Sequence, residues 1–104
     1  MVTEADIRSY ARALAREFKP ERIVLFGSHA QGTATEDSDV DLFVVMAHKG
    51  RNVEQALTIR RQIKRRFPLD LIVKTPEEIR NRVRRKDLFV KGILEHGKVL
   101  YAKA

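Results

Sequence analysis

Apolar residues at Ile7, Tyr10, Ala11, Leu14, Ala15 and Phe18 recur at helical spacing and predict a first helix from about residue 4 to 18. Thr3 with Asp6 three residues on makes a capping-box start, and Pro20 lies just beyond the end. Ile23 to Phe26 is a short continuous apolar run closed by glycine, the pattern of a buried strand. Gly27 to Ala34 is small and polar, with room for a turn and one short helical turn closed by Gly32. A polar loop from Thr35 to Ser38 leads into Val40 to Met46, rich in β-branched and apolar residues and predicted as a central strand. After a turn at His48 to Asn52, Val53, Ala56, Leu57, Ile63 and Phe67 mark a helix reaching about Arg66 and stopped by Pro68. Leu69 to Val73 is a third strand. Thr75-Pro76-Glu77-Glu78 opens another helix, with threonine at the cap, proline at the first position and glutamate at the third. Helical sequence runs to about His96 with a break near Lys86 and Asp87; Gly97 ends it, and Val99 to Tyr101 forms a short last strand. This order predicts an α/β (α+β) fold: one domain over residues 1–104, a small mixed sheet with helices packed mainly on one face.

Composition narrows the classes. A chain of 104 residues can bury a core without staples, and the absence of cysteine excludes disulfides and thiolate zinc sites. The longest apolar run, Leu42 to Ala47, is far short of a membrane span, and no basic-then-apolar leader opens the chain. A cytoplasmic protein without membrane attachment is the expectation. The net charge of +7 favours an anionic partner such as nucleotide phosphates, nucleic acid or an acidic protein. The cations cluster at Arg60, Arg61, Lys64, Arg65 and Arg66, and again at Arg80, Arg82, Arg84, Arg85, Lys86 and Lys91. Solvated helix faces explain both clusters as well as phosphate contact does.

Candidate chemistry sits at two strand ends. Side chains alternate along a strand, so Asp39 and Asp41 point to one face with Cα atoms about 6.5–7 Å apart. Carboxylates so spaced repel when unpaired and can share one divalent ion or hold two. Magnesium suits oxygen ligands and completes its shell with water and phosphate. Asp70 interrupts the apolar strand Leu69–Val73, on the face opposite Leu69, Leu71 and Val73. If the second and third strands pair, Asp70 joins the other two acids as a metal ligand, a general base for an incoming hydroxyl, or both. Gly27 permits a turn other residues resist, and Ser28 opens a short helical turn whose free N–H groups and hydroxyl suit phosphate. His29 adjoins that turn and is a further candidate for substrate contact. Two lookalikes fail. Gly27-x4-Gly32-Thr33 lacks the lysine of a P-loop, and Asp37, Asp39 and Asp41 are followed by Leu42 where a calcium loop needs glycine.

Gly27-Ser28, ten intervening residues, then Asp39-x-Asp41 resembles the signature of the DNA polymerase β-like nucleotidyltransferase superfamily. The wider stretches Leu25 to Ala34 and Ser38 to Leu42, and the ending Ile93 to Tyr101, resemble its minimal branch, which includes MntA-type antitoxins encoded beside HEPN-domain toxins. The resemblance implies a Mg²⁺-dependent, two-ion reaction on ATP. Asp39 and Asp41 would hold the ions, Asp70 would be the third acid, and Gly27, Ser28 and Ser38 would bind the nucleotide. It further implies transfer of AMP to a tyrosine hydroxyl of a partner HEPN toxin, as the antitoxin of a type VII pair. Gln31 stands where many relatives carry arginine, which weakens the charge available to the triphosphate. An alternative is a non-catalytic antitoxin that neutralises its partner by complex formation. A third reading, a small nucleotidyltransferase acting on RNA or a small molecule, has the basic surface it needs but no aromatic platform for single strands. Direct nucleic-acid binding is therefore not favoured.

Overall fold

The computed structural model describes all residues from Met1 to Ala104. Nine elements follow in the order α1 (Glu4–Phe18), β1 (Arg22–Phe26), α2 (Ser28–Gln31), β2 (Val40–Val45), α3 (Asn52–Gln62), β3 (Leu69–Lys74), α4 (Pro76–Arg84), α5 (Leu88–His96) and β4 (Lys98–Ala102). The strands form one mixed sheet in the order β3-β2-β1-β4. β1 pairs antiparallel with both β2 and β4, whereas β2 and β3 run parallel. The parallel pair follows from the long connection through α3, which a two-residue hairpin could not replace.

Strand alternation splits the core in two. Ile23, Leu25, Val40, Leu42, Val44, Leu69, Leu71 and Val73 share the larger cluster with Ile7, Tyr10, Ala11 and Leu14 of α1 and Ile59 of α3. The opposite face carries a smaller cluster of Val24, Phe43, Val45 and Ile93, with Phe26, Ile72 and Ile79 packed against it. Helix packing therefore falls mainly on one face, as the pattern predicts. α4 and α5 cover only part of the other, and Asp41 and Asp70 stand on that less covered face.

α1 begins on the expected capping box, with Thr3 Oγ1 accepting from Asp6 N–H at 3.1 Å and Asp6 Oδ2 accepting from Thr3 N–H at 2.9 Å. The break near Lys86 is a left-handed residue with φ 58°, after which Asp87 caps α5 by accepting from the N–H groups of Phe89 and Val90. α3 differs from the sequence expectation. It ends at Gln62, four residues before Arg66, and Val53 and Leu57 face solvent while Ile59 is fully buried. Ile59, Ile63 and Phe67 are spaced four residues apart and would share one face of a continued helix, so their burial does not account for the early end. The chain leaves the helix at Ile63, and Phe67 packs edge-on against Tyr10 with ring centroids 5.8 Å apart.

Candidate active site

The site forms where β1 ends and β2 and β3 begin. In the antiparallel register Phe26 opposes Asp41, and in the parallel register Asp41 opposes Asp70. Partners on adjacent strands point to the same face, so the two carboxylates stand side by side on strands about 4.8 Å apart. Asp70, the acid of uncertain placement in the sequence, is thereby brought to Asp41. Asp41 is half-buried and Asp70 exposed. Asp39 lies one residue before β2, exposed in the approach loop.

The electrostatics record this crowding. Burial pushes the Asp41 carboxyl above its usual range, and the negative charges of Asp70 and Asp39 push it further, with His29 opposing them. No three His, Cys, Asp or Glu side chains enclose an ion-sized site on their own. The donor set is one of hard carboxylate oxygens with an unrelieved charge at its centre. That suits magnesium, which keeps waters and takes substrate phosphates rather than being caged by protein.

Gly27 has φ 75° and ψ −156°, a region open essentially to glycine alone. A Cβ there would also run into the Asp41 carboxylate. The turn and the acid are thus built against each other, and the requirement for glycine comes from both backbone and neighbour. Ser28 is the first residue of α2, and the Gly27 carbonyl accepts from both Ala30 and Gln31 N–H at 3.1 Å. The first N–H groups of such a turn have no partner within it and are available to an anion. Gln31 ends α2, exposed and beside Gly27. Ser38 lies in the loop that leads into β2. Its hydroxyl accepts from Thr35 N–H at 2.8 Å and closes the loop before Asp39. The His29 ring nitrogen Nε2 lies 3.4 Å from the Ser38 carbonyl, tying α2 to the same loop.

A model for the nucleotidyltransferase domain matches residues 7–100. The chain belongs to the nucleotidyltransferase family. A Methanocaldococcus jannaschii protein provisionally named protein adenylyltransferase MJ0604 is 30% identical over 103 residues, covering 97% of this chain and all of that one. A crystal structure provisionally named a nucleotidyltransferase, from Sulfolobus solfataricus, superposes with TM-score 0.58 at 25% identity, covering 74% of this chain and 70% of the other. A toxin–antitoxin complex with AMP-PNP superposes with TM-score 0.57 at 25% identity, covering 92% and 73%. The chain is accordingly a nucleotidyltransferase enzyme.

One neighbouring feature of the nucleotidyltransferase was not read from the sequence. A cleft of about 310 Å³ leaves the turn at Gly27 and Gln31 and runs along α5 past Leu88, Phe89 and His96. Phe89 stands edge-on to Phe26 at 5.9 Å, and Phe26 edge-on to Phe43 at 6.4 Å. The available signal was Leu88-Phe89 directly after the capping Asp87, two large apolar residues where a first helical turn usually carries polar ones.

Proposed function

We propose that the protein transfers AMP from ATP to a tyrosine hydroxyl of a HEPN-domain toxin, with Mg²⁺, and thereby serves as the antitoxin of a type VII pair. The observation carrying this reading is the register that sets Asp41 beside Asp70, against a glycine turn that admits the Asp41 carboxylate. The named activity of the archaeal relative supports transfer to protein, and the AMP-PNP held by the similar toxin–antitoxin complex supports ATP as donor.

Asp39 and Asp41 would hold Mg²⁺, with Asp70 at their side; bound there, the metal supplies charge neutralisation for the phosphates and the leaving pyrophosphate. Backbone N–H groups at Ser28 and its hydroxyl orient the phosphate chain. Asp70, the most solvent-facing acid on a strand, accepts the proton of the incoming hydroxyl. The hydroxyl oxygen bonds to the α-phosphorus, the bond from that phosphorus to the bridging oxygen breaks, and pyrophosphate leaves with the electron pair. A cation bound beside Asp41 would offset the burial and the neighbouring negative charges that raise its proton affinity.

Labelled ATP, Mg²⁺ and the product of the adjacent gene test the proposal directly. Label should move to that product with the wild-type chain and not with Asp39→Asn; equal labelling by both would reject it. A second reading, neutralisation by binding alone, draws on the exposed apolar residues Val83 and Leu88. It requires Asp39→Asn and Asp41→Asn to leave neutralisation in cells intact, where the catalytic reading requires them to abolish it.

A further inference from the structure

α4 has no fully buried residue, and the turn after it passes through the left-handed Lys86. At this corner Val83 is 53%, Leu88 81% and Phe89 52% exposed. Large apolar side chains gathered within one short stretch and open to water mark a surface that something covers. A cleft of about 580 Å³ runs along the corner, its apolar wall made by Val83, Leu88 and Leu94 and its polar lining by Lys86, Lys91, Asp87 and Glu95. Leu88 also borders the cleft that reaches Gly27 and Gln31. An apolar track therefore connects the α4–α5 corner to the phosphate turn.

Asp87 and Glu95 in the lining are matched by Arg82 and Lys91, and the basic excess lies on the α4 side of the corner. Between Ile79 and Lys86 there is no acid, while Arg80, Arg82, Arg84, Arg85 and Lys86 are all cationic. Arg82 is occupied by Asp87 at 2.8 Å, and Lys91 lies 3.9 Å from Glu95, which leaves Arg84, Arg85 and Lys86 without an acidic partner. Val53 and Leu57 are also exposed, but on α3, the helix that covers the sheet face away from the carboxylates.

We infer that the α4–α5 corner is the docking surface for the acceptor protein, seating a segment whose apolar side chains are flanked by carboxylates. This rests on the transfer reading above and names where its partner binds. The aliphatic anchors Val83 and Leu88 are desolvated by a protein partner, and the cations steer and register it. Nucleic acid would leave those aliphatic anchors poorly used, since it prefers flat aromatic platforms. A second copy of the chain would bring a like-charged rim against this one.

The probe is the purified product of the adjacent gene. The Val83→Asp/Leu88→Asp double variant should raise its Kd and its KM by at least about tenfold. The KM for ATP and the thermal shift produced by ATP with Mg²⁺ should stay as in the wild type, which also reports that the variant folds. Val53→Asp should change none of these. Arg84→Glu with Arg85→Glu should flatten the salt dependence of acceptor binding. The inference is overturned by wild-type acceptor affinity in the double variant, by loss of affinity in Val53→Asp, or by no binding with the wild-type chain. Self-association that the double variant abolishes would overturn it in favour of a second copy. If the corner binds the acceptor but no label moves, the transfer reading falls and the corner stands. Transfer at wild-type KM in the double variant gives the converse.

Discussion

At the scale of single residues, Asp41 and Gly27 form one device. Asp41 carries a folded-state pKa above its unfolded value, caused first by burial and then by Asp70 and Asp39. For an acid shifted upward, the folded state binds the proton more tightly, so stability falls as pH rises through the window above the ordinary value of 3.8. Asp41→Asn removes that charge. The nucleotide-free variant is expected to melt higher than the wild type at neutral pH, with the difference vanishing below the ordinary carboxylate range; differential scanning calorimetry across pH checks this. Gly27→Ala combines a backbone region reserved for glycine with a clash against the Asp41 carboxylate. A loss of about 2 kcal/mol or more in urea unfolding is expected, together with loss of transfer. Asp70→Asn separates ligand from base. As a base it should cost about 10²–10⁴-fold in transfer rate while nucleotide binding changes little. Parallel losses in both would make Asp70 chiefly a metal ligand.

At the scale of elements, helix starts hold the less covered face in place. Glu78 pairs with Thr75 in a capping box and also accepts from the Asn52 side-chain amide at 2.9 Å, while His48 Nε2 lies 2.7 Å from Asn52 Oδ1. This chain of contacts pins the start of α3 to the start of α4. Burial pushes the Glu78 carboxyl up, but the hydrogen bonds from Asn52 and Thr75 outweigh it and leave the pKa lowered. Such an acid contributes stability above its unfolded pKa that is lost as pH falls through the folded one, so this tie weakens under acid conditions. Thr75→Ala is expected to cost about 1 kcal/mol, read from chemical denaturation. Because the tie is local to α3 and α4, transfer activity at moderate temperature should survive it. The strands position the acids without such ties, through register alone.

At the scale of the whole molecule, the fold stores a cluster of negative charge on a chain whose net charge is +7. A ligand that binds only the folded state stabilises it by mass action. ATP with Mg²⁺ at about one hundred times Kd is worth about 2.7 kcal/mol, which for a domain of this size is a rise in Tm of about 10 °C or more. Thermal melts with ATP alone, Mg²⁺ alone and both together check it. The full rise should need both, since each relieves a charge the other brings. A melt that both together leave unchanged would remove the nucleotide from this site. No helix is long and apolar enough to cross a membrane.

Much of this was written in local pattern. Helix caps at Thr3 and Thr75, the stop at Gly97 and the two-residue alternation along the strands are short-range chemistry, and so the element order and the opposite facing of Asp70 and Leu71 were legible from the chain. Gly27-Ser28 and Asp39-x-Asp41 were legible as chemistry for the same reason. What only the folded chain decided is long-range. The end of α3 at Gln62 is one such feature, since no local signal in the sequence stops a helix there. The opposition of Asp41 to Asp70 depended on β2 and β3 being neighbours in parallel register, which pairs residues far apart in the chain. Ser38 carries the right type for nucleotide contact, and only the folded loop shows that its hydroxyl also accepts from Thr35 N–H. Side-chain type and spacing are set residue by residue; which charges must share a space is set only when the sheet closes.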